Sequence, residues 1–342
     1  MSAPPAANGS QGGRGGSRGL RRIVVCLDGS PLGEAGLPHA LALARPFGGS
    51  LTLLRVLEAQ HGSDAVATDP LDWSMQRRES RAYVDRLVEQ QRDTGTEIQA
   101  SLAQGIPAEQ ICLWASQHGV DLTVVASHGA GGRTPWSLGS TARKLVERVP
   151  GSLLLVPASS LEPASGRVRY ARILVALDGS PRAESALPVA VEIAREHGAV
   201  LILAHVVPSP ELVCATPPAP EDLELEQRVI LRNQRVAVEY LDRLRTSLAA
   251  SGLTIRPLVL RDGVPARLAR AVEQEHVDLV ILSAHGRSGR TDSPCGSVAA
   301  YLIDHATTPL LLLREAPRRM LRSQHATTSG TARAGRPPIQ AM

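Results

Sequence analysis

At 342 residues the chain is long enough for two domains of ordinary size, each able to bury its own core. Hydrophobic residues make up 43% but aromatics only 2%, so those cores must be built from Leu, Val, Ile and Ala. The formal charge of +4 sits in the ends: residues 1–22 hold four arginines and no acid, and residues 314–342 hold six arginines against Glu315, leaving about −5 for the middle of the chain and arguing against a nucleic-acid-binding core.

Both ends are rich in Gly, Ser, Ala and Pro, and residues 1–19 and 315–342 are expected to be disordered tails. No apolar run of about 18 residues suggests a membrane span. The N-terminal arginines are not followed by the apolar stretch of a signal peptide. Cys26, Cys112, Cys214 and Cys295 stand singly, without metal-ligand spacing, as buried or free thiols do in a reducing cytoplasm. A cytoplasmic protein is the expectation.

In chain order, Arg22–Leu27 reads as a buried strand, and Asp28-Gly29-Ser30-Pro31 opens a helix with Ser at the N-cap and Pro at N1. Leu51–Val56 is a second strand, followed by a long amphipathic helix over Trp73 to Thr94. Glu97–Leu102 is a third strand and Pro107–His118 a helix. Leu122–Ser127 is a fourth strand, and Ser140–Val149 and Ser152–Val156 close the set as helix and strand.

The same order then repeats. Residues 22–44, RIVVCLDGSPLGEAGLPHALALA, match 172–194, RILVALDGSPRAESALPVAVEIA, at an offset of 150. GIPAEQI at 105–111 matches GVPARLA at 263–269 at 158, and Gly129 matches Gly286 at 157, so the second copy carries about eight extra residues before GVPA and then loses one. The extra residues are placed around Pro208 to Leu223, a proline-rich loop entering a longer helix at about 222–250. The reading is α/β: two tandem doubly wound domains, 20–157 and 170–314, joined by a linker at 158–169. Each is a parallel sheet with helices on both faces.

The residues that carry chemistry lie after the fourth strand of each copy. Ala126 to Ser140 reads ASHGAGGRTPWSLGS, and Ser283 to Ser297 reads SAHGRSGRTDSPCGS. In both, nine residues separate Gly129 or Gly286 from a Gly-Ser pair, Gly139-Ser140 or Gly296-Ser297, that opens a helix. Glycines let backbone N–H groups approach an anion, and the unpaired N–H groups of a helix's first turn face it. Blander readings exist: Asp28 and Asp178 as turn formers, Ser140 and Ser297 as plain N-caps, His128 and His285 as packing residues, and Arg133 and Arg287 as solvated loop residues. Walker, nucleophile-elbow and HExxH motifs are missing, and with no paired carboxylate or nucleophile fixed in sequence beside His128 and His285 a non-enzyme is expected.

On the first-strand LDGS, the central G-x-P-A and the loop G-x2-G-x9-G-S/T, the chain resembles tandem universal stress proteins of the UspA superfamily over both repeats. The resemblance implies five strands per domain in the order 3-2-1-4-5, with ATP, accompanied by Mg²⁺, outside the carboxyl ends of strands one and four. It implies that Asp28 and Asp178 contact the adenosine, with Gly29, Ser30, Gly179 and Ser180 also among the nucleotide-binding residues, and that Val56 and Val206 line the adenine slot. Gly129, Gly139 and Ser140, and Gly286, Gly296 and Ser297, would hold the phosphates. It also implies a nucleotide-responsive regulator with a protein partner, and an intramolecular pseudo-dimer of the two domains through their last strands, able to dimerise again. Two departures stand out. Ala126 and Ser283 replace the pattern's first glycine, and the second spacer carries Asp292, making the first site the stronger expectation. The alternatives are an interaction scaffold that binds no nucleotide and a slow ATPase.

Overall fold

A computed structural model of the chain describes residues 19–58, 70–128, 138–157, 167–210, 219–286, 294–305 and 307–314. Its strands are β1 (Arg22–Leu27), β2 (Ser50–Leu57), β3 (Ile98–Gln104), β4 (Leu122–Ala126) and β5 (Ser152–Val156). In the second half they are β6 (Arg172–Leu177), β7 (Val200–Val207), β8 (Ile255–Arg261), β9 (Leu279–Ser283) and β10 (Leu310–Leu313). The helices of the first half are α1 (Pro31–Glu34), α2 (Gly36–Ala44), α3 (Pro70–Gln90), α4 (Pro107–His118) and α5 (Ser140–Arg148). Those of the second are α6 (Pro181–Glu184), α7 (Leu187–His197), α8 (Pro220–Ser247), α9 (Val264–Gln274) and α10 (Ser297–Asp304).

All ten strands form one sheet, ordered β3-β2-β1-β4-β5-β10-β9-β6-β7-β8. Each half therefore winds 3-2-1-4-5, and every pairing within a half is parallel. At the centre β10 runs antiparallel to β5, with Leu310, Leu311 and Leu312 opposite Leu155, Leu154 and Leu153. These six leucines are fully buried, because helices cover both faces of the seam. One face carries α1, α2, α3, α6, α7 and α8, and the other α4, α5, α9 and α10. The core on the first face runs unbroken through both halves.

Local chemistry sets the element boundaries. Ser30 Oγ accepts from Gly33 N at 3.0 Å, capping α1 behind Pro31, and Ser180 Oγ accepts from Ala183 N at 3.2 Å before Pro181. A Ser30→Ala variant is expected to lose about 1 kcal/mol of stability, read as a lower urea midpoint. The helix read as continuous after LDGS is broken at Ala35, which ends α1 and precedes α2. α2 is buried almost all round, as its sequence GLPHALALA allows, because it lies between the sheet and the other half of the protein.

The extra residues of the second copy are not in the proline-rich loop. Twelve residues separate β2 from α3 and β7 from α8 alike, while α8 has 28 residues and α3 has 21. The insertion is thus seven residues within the helix, close to two turns at 3.6 residues per turn. That length keeps the inward stripe in phase: buried Ser80 and Val84 of α3 correspond to Ala237 and Leu241 of α8. GVPA consequently sits one residue out of register with GIPA, because β8 and the buried face of α9 follow the 157 offset.

Arg314, whose charge is summed with the C-terminal end, is the last described residue of the second half. Its guanidinium donates to Val149 O at 2.8 Å and to Val146 O, satisfying the last carbonyls of α5 in the opposite half. Among the described residues no helix is long and apolar enough to cross a membrane.

Candidate functional site

The first β–α turn of each half is built identically. Asp28 Oδ1 accepts from the Ser30 amide at 2.9 Å and its hydroxyl at 2.6 Å, and Asp178 Oδ1 does the same with Ser180. The turn-forming reading of these aspartates is therefore correct for one oxygen of each carboxylate. Gly29 and Gly179 lie at φ +82° and +78°, a conformation that only glycine adopts at low cost. The other oxygen of Asp178 faces the fourth-strand loop. A Cβ at Gly286 would collide with Asp178 Oδ2, so the glycine permits the carboxylate and the loop backbone to touch.

Between these two loops lies a cleft of about 200 Å³. Ala176, Ala204, Val206 and Leu282 form an apolar floor, and Asp178, Gly286, Gly296 and Ser297 form the rim. Of the second-half residues expected from sequence, Asp178, Val206, Gly286, Gly296 and Ser297 therefore share one cleft. Gly179 and Ser180 shape the turn beside it. In the first half, Asp28, Gly29, Ser30, Val56, Gly139 and Ser140 occupy the equivalent positions at the carboxyl ends of β1 and β2 and the start of α5. Gly129 lies outside the described residues, as do Arg133, Arg287 and Asp292.

Ser140 and Ser297 are not N-caps: Gly139 and Gly296 hold the cap positions, and neither offers a side chain to the first turn. The serines are at N1. Both helices thus begin with amides uncapped by any side chain, facing the cleft side of the sheet. Gly139 is also held close, its N–H donating to Ser127 O at 2.8 Å, where a Cβ would press against that same oxygen at 3.2 Å. His128 pairs through Nδ1 with Ser127 Oγ at 2.9 Å, as a loop-packing residue does.

Several site residues were not singled out from sequence. Val264 and Leu268 of α9 and Ala183 of α6 wall the second cleft. The G-x-P-A motif marked the place for Val264, but small apolar residues carry no signal of their own. Arg55 is the larger omission. Its guanidinium lies directly beneath Gly29 and 5.5 Å from the Tyr83 ring centroid, and its Nε donates to Ser80 Oγ at 3.1 Å. Tyr83 in turn donates to Glu34 at 2.9 Å, and burial, followed by that bond, pushes its phenol pKa up. The corresponding strand position in the second half is His205, whose Nδ1 bonds to Leu177 O at 2.9 Å. The two halves share this turn but differ in the side chain at this strand position, and a Cβ placed at Gly179 would meet no atom within 4 Å.

A model of the universal stress protein family matches residues 19–157 and 169–314. A universal stress protein of Mycobacterium tuberculosis is 24% identical over 305 residues, spanning 86% of this chain and 97% of its own length. One from Methanocaldococcus jannaschii is 23% identical over 145 residues, 42% of this chain and 85% of its own. The crystal structure of a universal stress protein from Archaeoglobus fulgidus matches with a TM-score of 0.61 at 16% identity, covering 86% of this chain and 98% of that one, a likeness of fold.

Proposed function

The chain belongs to the universal stress protein family, and from that premise we propose that it is an ATP-binding regulator whose nucleotide state is read by a protein partner. Family membership places it in the stress response. The observation that carries the nucleotide reading is the contact of Gly286 with the Asp178 carboxylate at the rim of an apolar cleft. A purine suits the floor of Ala176, Ala204, Val206 and Leu282. The Asp178 carboxylate at the rim can accept from a ribose hydroxyl, and Ser297 with the first amides of α10 suits phosphate oxygens. The cleft is smaller than the ~300–1,000 Å³ usual for whole ligands, so the base would fill it and the phosphates would run out along Gly286 and Gly296. Mg²⁺ would accompany the triphosphate and offset its charge.

Asp28, Gly29, Ser30, Val56, Gly129, Gly139 and Ser140 would do the same in the first half, giving two sites per chain. Binding in place of turnover is the reading, and the chain is taken as cytoplasmic. Calorimetric titration of nucleotide-free protein with Mg-ATP tests it. Saturable binding that is weakened in Asp28→Ala and Asp178→Ala supports the proposal. Absence of binding favours an interaction scaffold, and steady release of phosphate favours an ATPase.

A further inference from the structure

Where the two halves meet on the first face of the sheet, a polar cluster is buried in an otherwise apolar core. His39 of α2 bonds through Nδ1 to Tyr170 Oη at 2.9 Å. The Tyr170 ring lies 4.9 Å from that of His197 at the end of α7. His197 bonds through Nε2 to Ala42 O of α2 at 3.2 Å, and its Nδ1 faces the Tyr170 amide at 3.3 Å. The exposures of His39, Tyr170 and His197 are 8%, 1% and 4%. The contacts cross between the halves, so the cluster ties α2 to α7.

The duplicated fold supplies an internal control. At the offset of 150 that relates β1–β2 to β6–β7, His39, Tyr170 and His197 correspond to Val189, Leu20 and Phe47. Val189 and Leu20 are buried in the same core and Phe47 packs against it. One side of the seam thus closes with hydrocarbon and the other with two imidazoles and a phenol. An apolar solution fits this geometry, so packing alone does not require the polar one.

The hydrogen bonds fix what a proton would do. A carbonyl can only accept, so His197 Nε2 carries the hydrogen toward Ala42, and Nδ1 is left to accept from the Tyr170 amide. A proton on Nδ1 would set two donors against each other. At His39 a second proton would create a buried cation beside a phenol. The charged groups around the cluster are Arg45 after α2, Arg169 before β6, Glu196 on α7, and Asp278 just before β9, whose carboxylate accepts from the Ala171 and Arg172 amides and acts on Tyr170 through its charge. Arg45 and Arg169 oppose a charge on His197, and Glu196 favours it. We propose that His39, Tyr170 and His197 form an acid-sensitive latch between the two halves, closed while both imidazoles are neutral and released when either takes up a proton.

Burial holds His39 down to about 4, and burial also lowers His197. An imidazole whose folded pKa is depressed contributes its full share above the unfolded value of about 6.5 and loses it as pH falls toward the folded one. For His39 alone, the open population is expected to rise roughly 70-fold between pH 7.5 and 4.5.

Hydrogen exchange of the full chain across α2 and α7, corrected for the intrinsic pH dependence of exchange, reads that opening. A variant that copies the apolar side onto the polar one, His39→Val with Tyr170→Leu and His197→Phe, is expected to lose the excess opening at pH 4.5. The single variant His39→Gln keeps a neutral bond to Tyr170 and is expected to lose its share of the response. Equal pH responses in wild type and His39→Gln would overturn the latch. So would histidine NMR of the wild-type protein showing both imidazoles titrating near 6.5 in the folded state, a measurement that needs no variant.

Discussion

Replacing Gly286 by Val is expected to empty the second of the two proposed nucleotide sites while leaving the first intact. Gly286 is not held at positive φ, so the substitution tests space alone, without backbone strain. The new Cβ would meet the Asp178 carboxylate, which the Ser180 amide and hydroxyl hold from its other side. Either the fourth-strand loop moves away from the cleft or the carboxylate gives up its turn. Losing one charge-assisted hydrogen bond costs about 1.5–3 kcal/mol, or roughly 10- to 100-fold in affinity, before the steric block over the ligand is counted. Titration with Mg-ATP should show one site per chain in place of two, with little change in the urea midpoint. Two sites of unaltered affinity would remove Gly286 and Asp178 from the binding machinery.

Truncating Leu154 to Ala is expected to cost about 3–4 kcal/mol, in the range found for buried leucines whose surroundings cannot collapse into the space. Leu154 has no exposed surface and stands opposite Leu311, also fully buried, in the antiparallel pair that joins the halves. Its side chain belongs to the core that runs through both domains, against α2 and α7. The loss should therefore appear in one cooperative urea transition of the whole chain, with both halves shifting together. Two separate transitions, with the second domain unmoved, would show that the shared sheet does not couple them.

Much of this fold was written plainly in the sequence. Runs such as RIVVCL and LTVVA are apolar on both faces because parallel strands are covered on both, and the duplication supplied the topology twice. Helix ends were legible to within a few residues where Pro stood at N1, as at Pro31, Pro107 and Pro181. The proline-rich stretch does not mark the seven-residue insertion, because two added helical turns leave no break in the pattern of α8. Glycine spacing marked the candidate site, and the residues at its rim follow from it. The same spacing could not tell that Gly296, and not Ser297, caps α10, since both residues favour that position. Arg55, His39, Tyr170 and His197 were invisible for a different reason: their partners lie on other elements, up to 155 residues away.

The seam between β5 and β10 also has a consequence for how this protein can diverge. In a homodimer related by a two-fold axis, each substitution at the interface is made twice, once on either side. Here the two sides are encoded separately, and a change on one leaves the other untouched. Arg314 reaches across the seam to α5 from one half, where Pro157 ends the matching strand of the other. The same freedom allows one half to carry Arg55 under its first turn where the other has His205 at the matching strand position. Gene duplication has made the partner permanent and released it from having to be identical.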